Sequence, residues 1–71
     1  MTLTSKFSKD LSTLRAAANK EIFLDLKNPK LLKKVRRFYQ NEGVEFSGDA
    51  LDDYDILMDC ILQDLQSVEV Q

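Results

Sequence analysis

Residues 48–68 read GDALDDYDILMDCILQDLQSV, and the reading of this stretch decides the fold. Leu51, Tyr54, Met58, Ile61, Leu65 and Val68 follow one another at spacings of three, four, three, four and three, which keeps them on one side of an α-helix and fits no strand. Asp49 is placed to cap that helix, and Asp52 and Asp53 put negative charge where the N-terminal dipole favours it. Asp52, Asp55, Asp59, Gln63 and Gln66 make the solvent side. Ile56 and Cys60 break this division, because they fall one turn apart roughly opposite the apolar seam and give the helix a second apolar side.

Upstream, Val44-Glu45-Phe46-Ser47-Gly48 is a short connection with two apolar anchors, long enough to reverse the chain. Before it, Gly43 suits a left-handed helix terminator from which Val44 folds back. Asn28-Pro29 is a start signal: Asn caps well, and the missing N–H of Pro costs nothing at the first helical position. Between these marks Leu31, Leu32, Val35, Phe38 and Tyr39 form an apolar face, with Lys30, Lys33, Lys34 and Arg37 as a basic stripe on the other side and Arg36 at its flank.

Further upstream still, Phe7, Leu11, Leu14, Ala18 and Ile22 recur at helical spacing, and Ala16, Ala17 and Ala18 favour helix. The pattern loosens after Asn19, where Ile22, Leu24 and Leu26 alternate. A lone strand there has no partner, so the segment is read as helix with a kink near Asn19–Lys20.

The expected fold is therefore all-α: three helices over about 5–26, 29–42 and 49–68, the second and third forming an antiparallel hairpin and the first packed across them. The expected seam is Phe7, Leu11, Leu14, Ala18, Ile22, Leu31, Val35, Phe38, Phe46, Leu51, Tyr54, Met58, Ile61 and Leu65. Seventy-one residues make one domain, near the lower size at which a core suffices without disulfides, metal or a partner subunit. Homodimerisation is one way for such a chain to complete its core.

Composition narrows the function classes. One cysteine permits no internal disulfide and the absence of His leaves few ways to hold a transition metal, so no metal and no cofactor is expected, and a reducing, cytoplasmic setting fits. No apolar run approaches membrane-spanning length. The net charge of −2 conceals a division: residues 1–41 carry ten cations and three anions, +7, whereas residues 42–71 carry nine anions and no cation, −9.

No catalytic residues are assigned. There is no His for proton transfer, no Ser in a nucleophile-elbow sequence, and Cys60 has aspartates at 59 and 64 that disfavour a thiolate. The acidic face does not match a calcium loop. Asp49-Ala50-Leu51-Asp52 resembles over four residues the Asp-Ser-Leu-Asp of acyl carrier proteins, but Ala50 stands at the serine position, which excludes a phosphopantetheine arm.

Two surfaces remain. Ile56 and Cys60, rimmed by Asp52, Asp55 and Asp59, suit a protein partner, which makes a small non-enzymatic interaction protein the leading expectation. The alternative is a nucleic-acid-binding regulator using Lys30, Lys33, Lys34, Arg36 and Arg37, whose affinity would fall steeply with salt. The acidic character of the helix after the turn argues against a helix-turn-helix reader unless the basic helix is itself the one that enters the groove.

Overall fold

The apolar periodicity of the N-terminal third does not extend as one helix. The computed structural model, which describes the backbone of residues 2–70 and the side chains of residues 2–66, divides it into three: α1 (Leu3–Lys6), α2 (Leu11–Ala18) and α3 (Leu24–Lys27). They are followed by α4 (Pro29–Asn41) and α5 (Ala50–Val70). Among the described residues the structure is all-helical, and no helix is long and apolar enough to cross a membrane.

The single helix expected over 5–26 is thus corrected to three short ones, and the break after α2 has an identifiable cause. At Lys20 the backbone turns left-handed, φ 64°. Glu21 N–H then reaches back to the Ala16 carbonyl at 2.9 Å and Lys20 N–H to the Ala17 carbonyl at 3.1 Å, which closes the end of α2. The same pair of bonds closes α4: Gly43 sits at φ 98°, Val44 N–H meets the Tyr39 carbonyl at 3.0 Å and Gly43 N–H the Gln40 carbonyl at 3.1 Å. Val44 packs back onto the core, as the sequence suggested.

The helix starts follow side-chain oxygens. The Asn28 side chain accepts from Leu31 N–H at 3.2 Å with Pro29 as the first residue of α4, and one Asp49 oxygen accepts from both Leu51 and Asp52 N–H at 2.9 and 3.1 Å. Thr2 does the same for Ser5 in α1.

The helices pack into a slab 34 × 26 × 18 Å, thin enough for two helical layers. Its core is one cluster drawn from every helix, with Leu14, Leu24, Val35 and Ile61 fully enclosed. Phe7 meets Phe38 edge-on at 5.8 Å, Phe38 meets Tyr39 at 5.1 Å, and the Lys6 ammonium lies 5.7 Å from the Phe38 ring centre. The main neighbour of α5 is α2, with α1 and α4 against it more sparingly.

Most of the expected seam is inside. Phe7, Leu14, Ala18, Leu31, Val35, Phe38, Met58, Ile61 and Leu65 are buried, and Leu11, Ile22, Phe46 and Tyr54 pack partly against them. Val68 lies outside the described side chains. Two positions on α5 depart from expectation: Leu57, not assigned to the seam, is 2% exposed, and Leu51, placed at its head, is 80% exposed. The connection from α4 returns along the other flank of the first turn, onto Asp53, and leaves Leu51 uncovered.

Candidate functional site

The start of α5 carries two contrasting flanks. On the flank toward α4, the Asp53 carboxylate is 4% exposed and accepts four hydrogen bonds: Ser47 N–H at 2.7 Å, the Ser47 hydroxyl at 2.9 Å, Gly48 N–H at 3.0 Å and the Arg36 guanidinium at 3.3 Å. Burial alone pushes such a carboxyl upward. The bonds from Ser47 and Gly48 and the charge of Arg36 outweigh it and hold Asp53 below its ordinary value. Arg36 is fixed from a second side by the Phe46 ring, 5.2 Å from its guanidinium carbon.

Three turns along the same flank, the Tyr39 hydroxyl donates to Asp64 at 2.5 Å. Burial, then the bond to Asp64 and the charge of that carboxylate, push the phenol far above its usual range. Cys60 stands in this row, half-buried against the core, its thiol pushed up first by burial and then by Asp64 and Asp59. Such a thiol is a packing group and a poor nucleophile.

Toward α3, the Tyr54 hydroxyl accepts from Leu24 N–H at 3.1 Å and ties the first turns of α5 to the start of α3. Leu24 is fully buried, but its neighbour Phe23 is 64% exposed and Leu26 is 80% exposed. Leu51, one turn before Tyr54 on α5, is 80% exposed as well. These three are the exposed large hydrophobic residues among those described. Sequence reasoning placed Leu51 inside and Phe23 and Leu26 in a helix of no special note; the signal available was the broken periodicity after Asn19.

The residues assigned to function from the sequence fall on different parts of the surface. Ile56 is half-buried and does not belong to the packed core, whereas Cys60 does, so the two are not one exposed patch. Asp52, Asp55 and Asp59 are exposed on the solvent row of α5. Lys30, Lys33, Lys34 and Arg37 are exposed on α4, and Arg36, the fifth member of that group, is engaged by Asp53. Among the described residues no ion pair joins the four free cations of α4 to the acidic row of α5.

A hollow of about 120 Å³ between α2 and α5, lined by Arg15, Asn19, Leu62, Leu65 and Gln66, falls well below the roughly 300 Å³ at which small-molecule sites begin. Compared with protein-family models, curated proteins and solved structures, the chain matches none.

Proposed function

We propose that this chain is a small non-enzymatic interaction protein that binds a protein partner through an apolar surface rimmed by acidic charge. The observation that carries the reading is the exposure of Phe23, Leu26 and Leu51, the exposed large apolar side chains among the described residues. Asp49, Asp52 and Asp55 edge Leu51, so the surface suits a partner that offers apolar side chains with cations beside them. An apolar contact of this kind holds in high salt.

The test is capture from a native extract by the immobilised chain, in low and high salt, with bound proteins identified by mass spectrometry. The wild type should retain a discrete protein at both salts and Leu26→Asp should lose it, while Ile56→Asp should keep it. Retention by Leu26→Asp together with loss by Ile56→Asp would move the surface to the solvent row of α5, and capture of nothing at either salt would remove the reading.

A second reading rests on the unpaired stripe Lys30, Lys33, Lys34 and Arg37. Four phosphate contacts would give a log–log salt slope of about −3.6 for duplex DNA. Fluorescence anisotropy with labelled DNA and RNA decides it: a steep slope abolished by Lys33→Glu/Arg37→Glu supports nucleic-acid binding, and no binding at low salt ends it.

A further inference from the structure

We infer that the ligand of the basic face of α4 is duplex nucleic acid held by its phosphates, with Lys6 of α1 as a fifth contact beside Lys30, Lys33, Lys34 and Arg37. This rests on the nucleic-acid reading of that face and adds the form of the ligand and a residue from another helix. At about 100° per residue, positions 30, 33, 34 and 37 fall within a third of the helix circumference, on the side away from the buried Leu31, Val35, Phe38 and Tyr39. All four cations are exposed, and α4 contains no acidic residue. Asp25 and Glu42 are the acids nearest to it in sequence, one before the helix and one after it.

The fold adds to this face from a distant part of the chain. The exposed Lys6 ammonium lies 5.7 Å from the Phe38 ring centre, and Phe38 stands one turn after Lys34, so α1 sets a further cation at the Lys34 edge of the stripe. α5 meets α4 along the other edge, where Arg36 pairs with Asp53 and Tyr39 with Asp64. Asp52, Asp55 and Asp59 lie more than a quarter turn round α5 from Asp53 and Asp64, so the acidic row is turned away from α4.

The form of the ligand follows from what this face has and lacks. A stripe running about 10 Å along a helix matches a regular array of phosphates, which a duplex supplies at about one charge per 1.7 Å of its axis. Single strands are held in addition by stacking successive bases on exposed aromatic rings. Both aromatic residues of α4 are buried, and among the described aromatics Phe23 alone is exposed, one ring where successive bases need several. Lysine binds phosphate as a point charge, and four of the five contacts are lysines. The side-chain amides that could pair with base edges, Gln40 and Asn41, occupy only the last turn of α4, and the Asn28 oxygen is taken by Leu31 N–H. The contact therefore follows the backbone and not the base sequence.

Fluorescence anisotropy on the full chain tests this, with DNA duplexes of two unrelated sequences, an RNA duplex and the matching single strands as probes. Five contacts on duplex DNA give a log–log salt slope of about −4.5, a fall in affinity of about 500-fold between about 50 and 200 mM salt. Lys6→Gln should reduce the slope to about −3.6 and the fall to about 150-fold, whereas Lys6→Arg should keep the wild-type values, with circular dichroism unchanged in both. Lys6→Met, which retains the stem against Phe38, is the second variant should Lys6→Gln fail to fold. The two DNA sequences should bind alike and the single strands more weakly; binding of either duplex supports the inference and shows which nucleic acid is the ligand.

A wild-type slope in both Lys6→Gln and Lys6→Met overturns the fifth contact. Single strands bound as tightly as duplexes, or a preference of about tenfold or more for one DNA sequence, overturn recognition of the duplex backbone and leave nucleic-acid binding standing. No binding to any probe at the lowest salt overturns both, and retention on phosphatidylserine vesicles in that case would assign the face to a lipid surface.

Discussion

Leu51 and Asp53 stand two residues apart in the first turn of α5, and each is where the other's chemistry belongs. The carboxylate is 4% exposed and the leucine 80% exposed. The flank toward α4 is polar and closed, every Asp53 contact coming from a loop N–H, a hydroxyl or a guanidinium. The flank toward α3 is apolar and open. The pair teaches that burial at a helix start follows the path of the incoming connection: Ser47 and Gly48 bring two backbone N–H groups to one side, and a carboxylate satisfies them where a leucine would leave them orphaned.

Removing the polar anchor is the strongest way to break the comparison. Asp53→Ala leaves Ser47 N–H, Gly48 N–H and Arg36 without their acceptor, so we expect it to give the largest fall in thermal midpoint of the substitutions named here, measured by circular dichroism at neutral pH. The same contact sets an acid limb. Asp53 is held below its ordinary value of 3.8 in the folded state, so its contribution is whole above that value and is lost as pH falls through the lowered one. Asp53→Asn should flatten that part of the midpoint-versus-pH curve.

Further along the closed flank, Tyr39→Phe should cost about 1–2 kcal/mol by removing the donor to a half-buried Asp64. Here the sign is opposite. The phenol titrates higher folded than unfolded, so the bond's stabilisation is whole below pH about 10 and is lost as pH rises beyond it. The alkaline fall in stability should be smaller in Tyr39→Phe, as read from chemical denaturation on either side of that pH.

Lys20→Gly should raise stability by about 1 kcal/mol, because glycine adopts the left-handed backbone there without the steric cost that lysine bears. It steadies the joint that places Phe23 and Leu26 and leaves the closed flank alone. Smallest of all, Leu51→Asp should change stability by no more than about 0.5 kcal/mol, in contrast to the loss expected for Asp53→Ala two residues away. A large loss would mean that Leu51 supports the monomer.

These contrasts follow what the chain discloses locally. Asn28-Pro29, Gly43 and Asp49 announce three helix ends because each end is made by the residue that marks it. Lys20 closes α2 with the same hydrogen bonds that Gly43 uses for α4, but a lysine carries no mark of left-handed backbone, so one terminator was legible and the other was read only as a kink. Leu57 and Leu51 were misassigned because period alone does not say which flank of α5 the connection will cover. Burial of Asp53 depends on Arg36, 17 residues upstream, and on loop geometry that no pattern within the helix reveals. The division of charge was plain in the sequence; that Arg36 alone of the α4 cations pairs with an α5 carboxylate among the described residues became visible only in the fold.

The most direct measurement is a series of ¹H–¹⁵N correlation spectra of the wild-type chain as the protein captured from the extract is added. Shifts concentrated on residues 22–27 and 49–55, with the amides of Leu57, Ile61 and Leu65 unmoved, are what an interface on the open flank of α5 predicts. Shifts centred on Ile56 and the solvent row of α5, or spectra that the captured protein leaves unchanged, would contradict it.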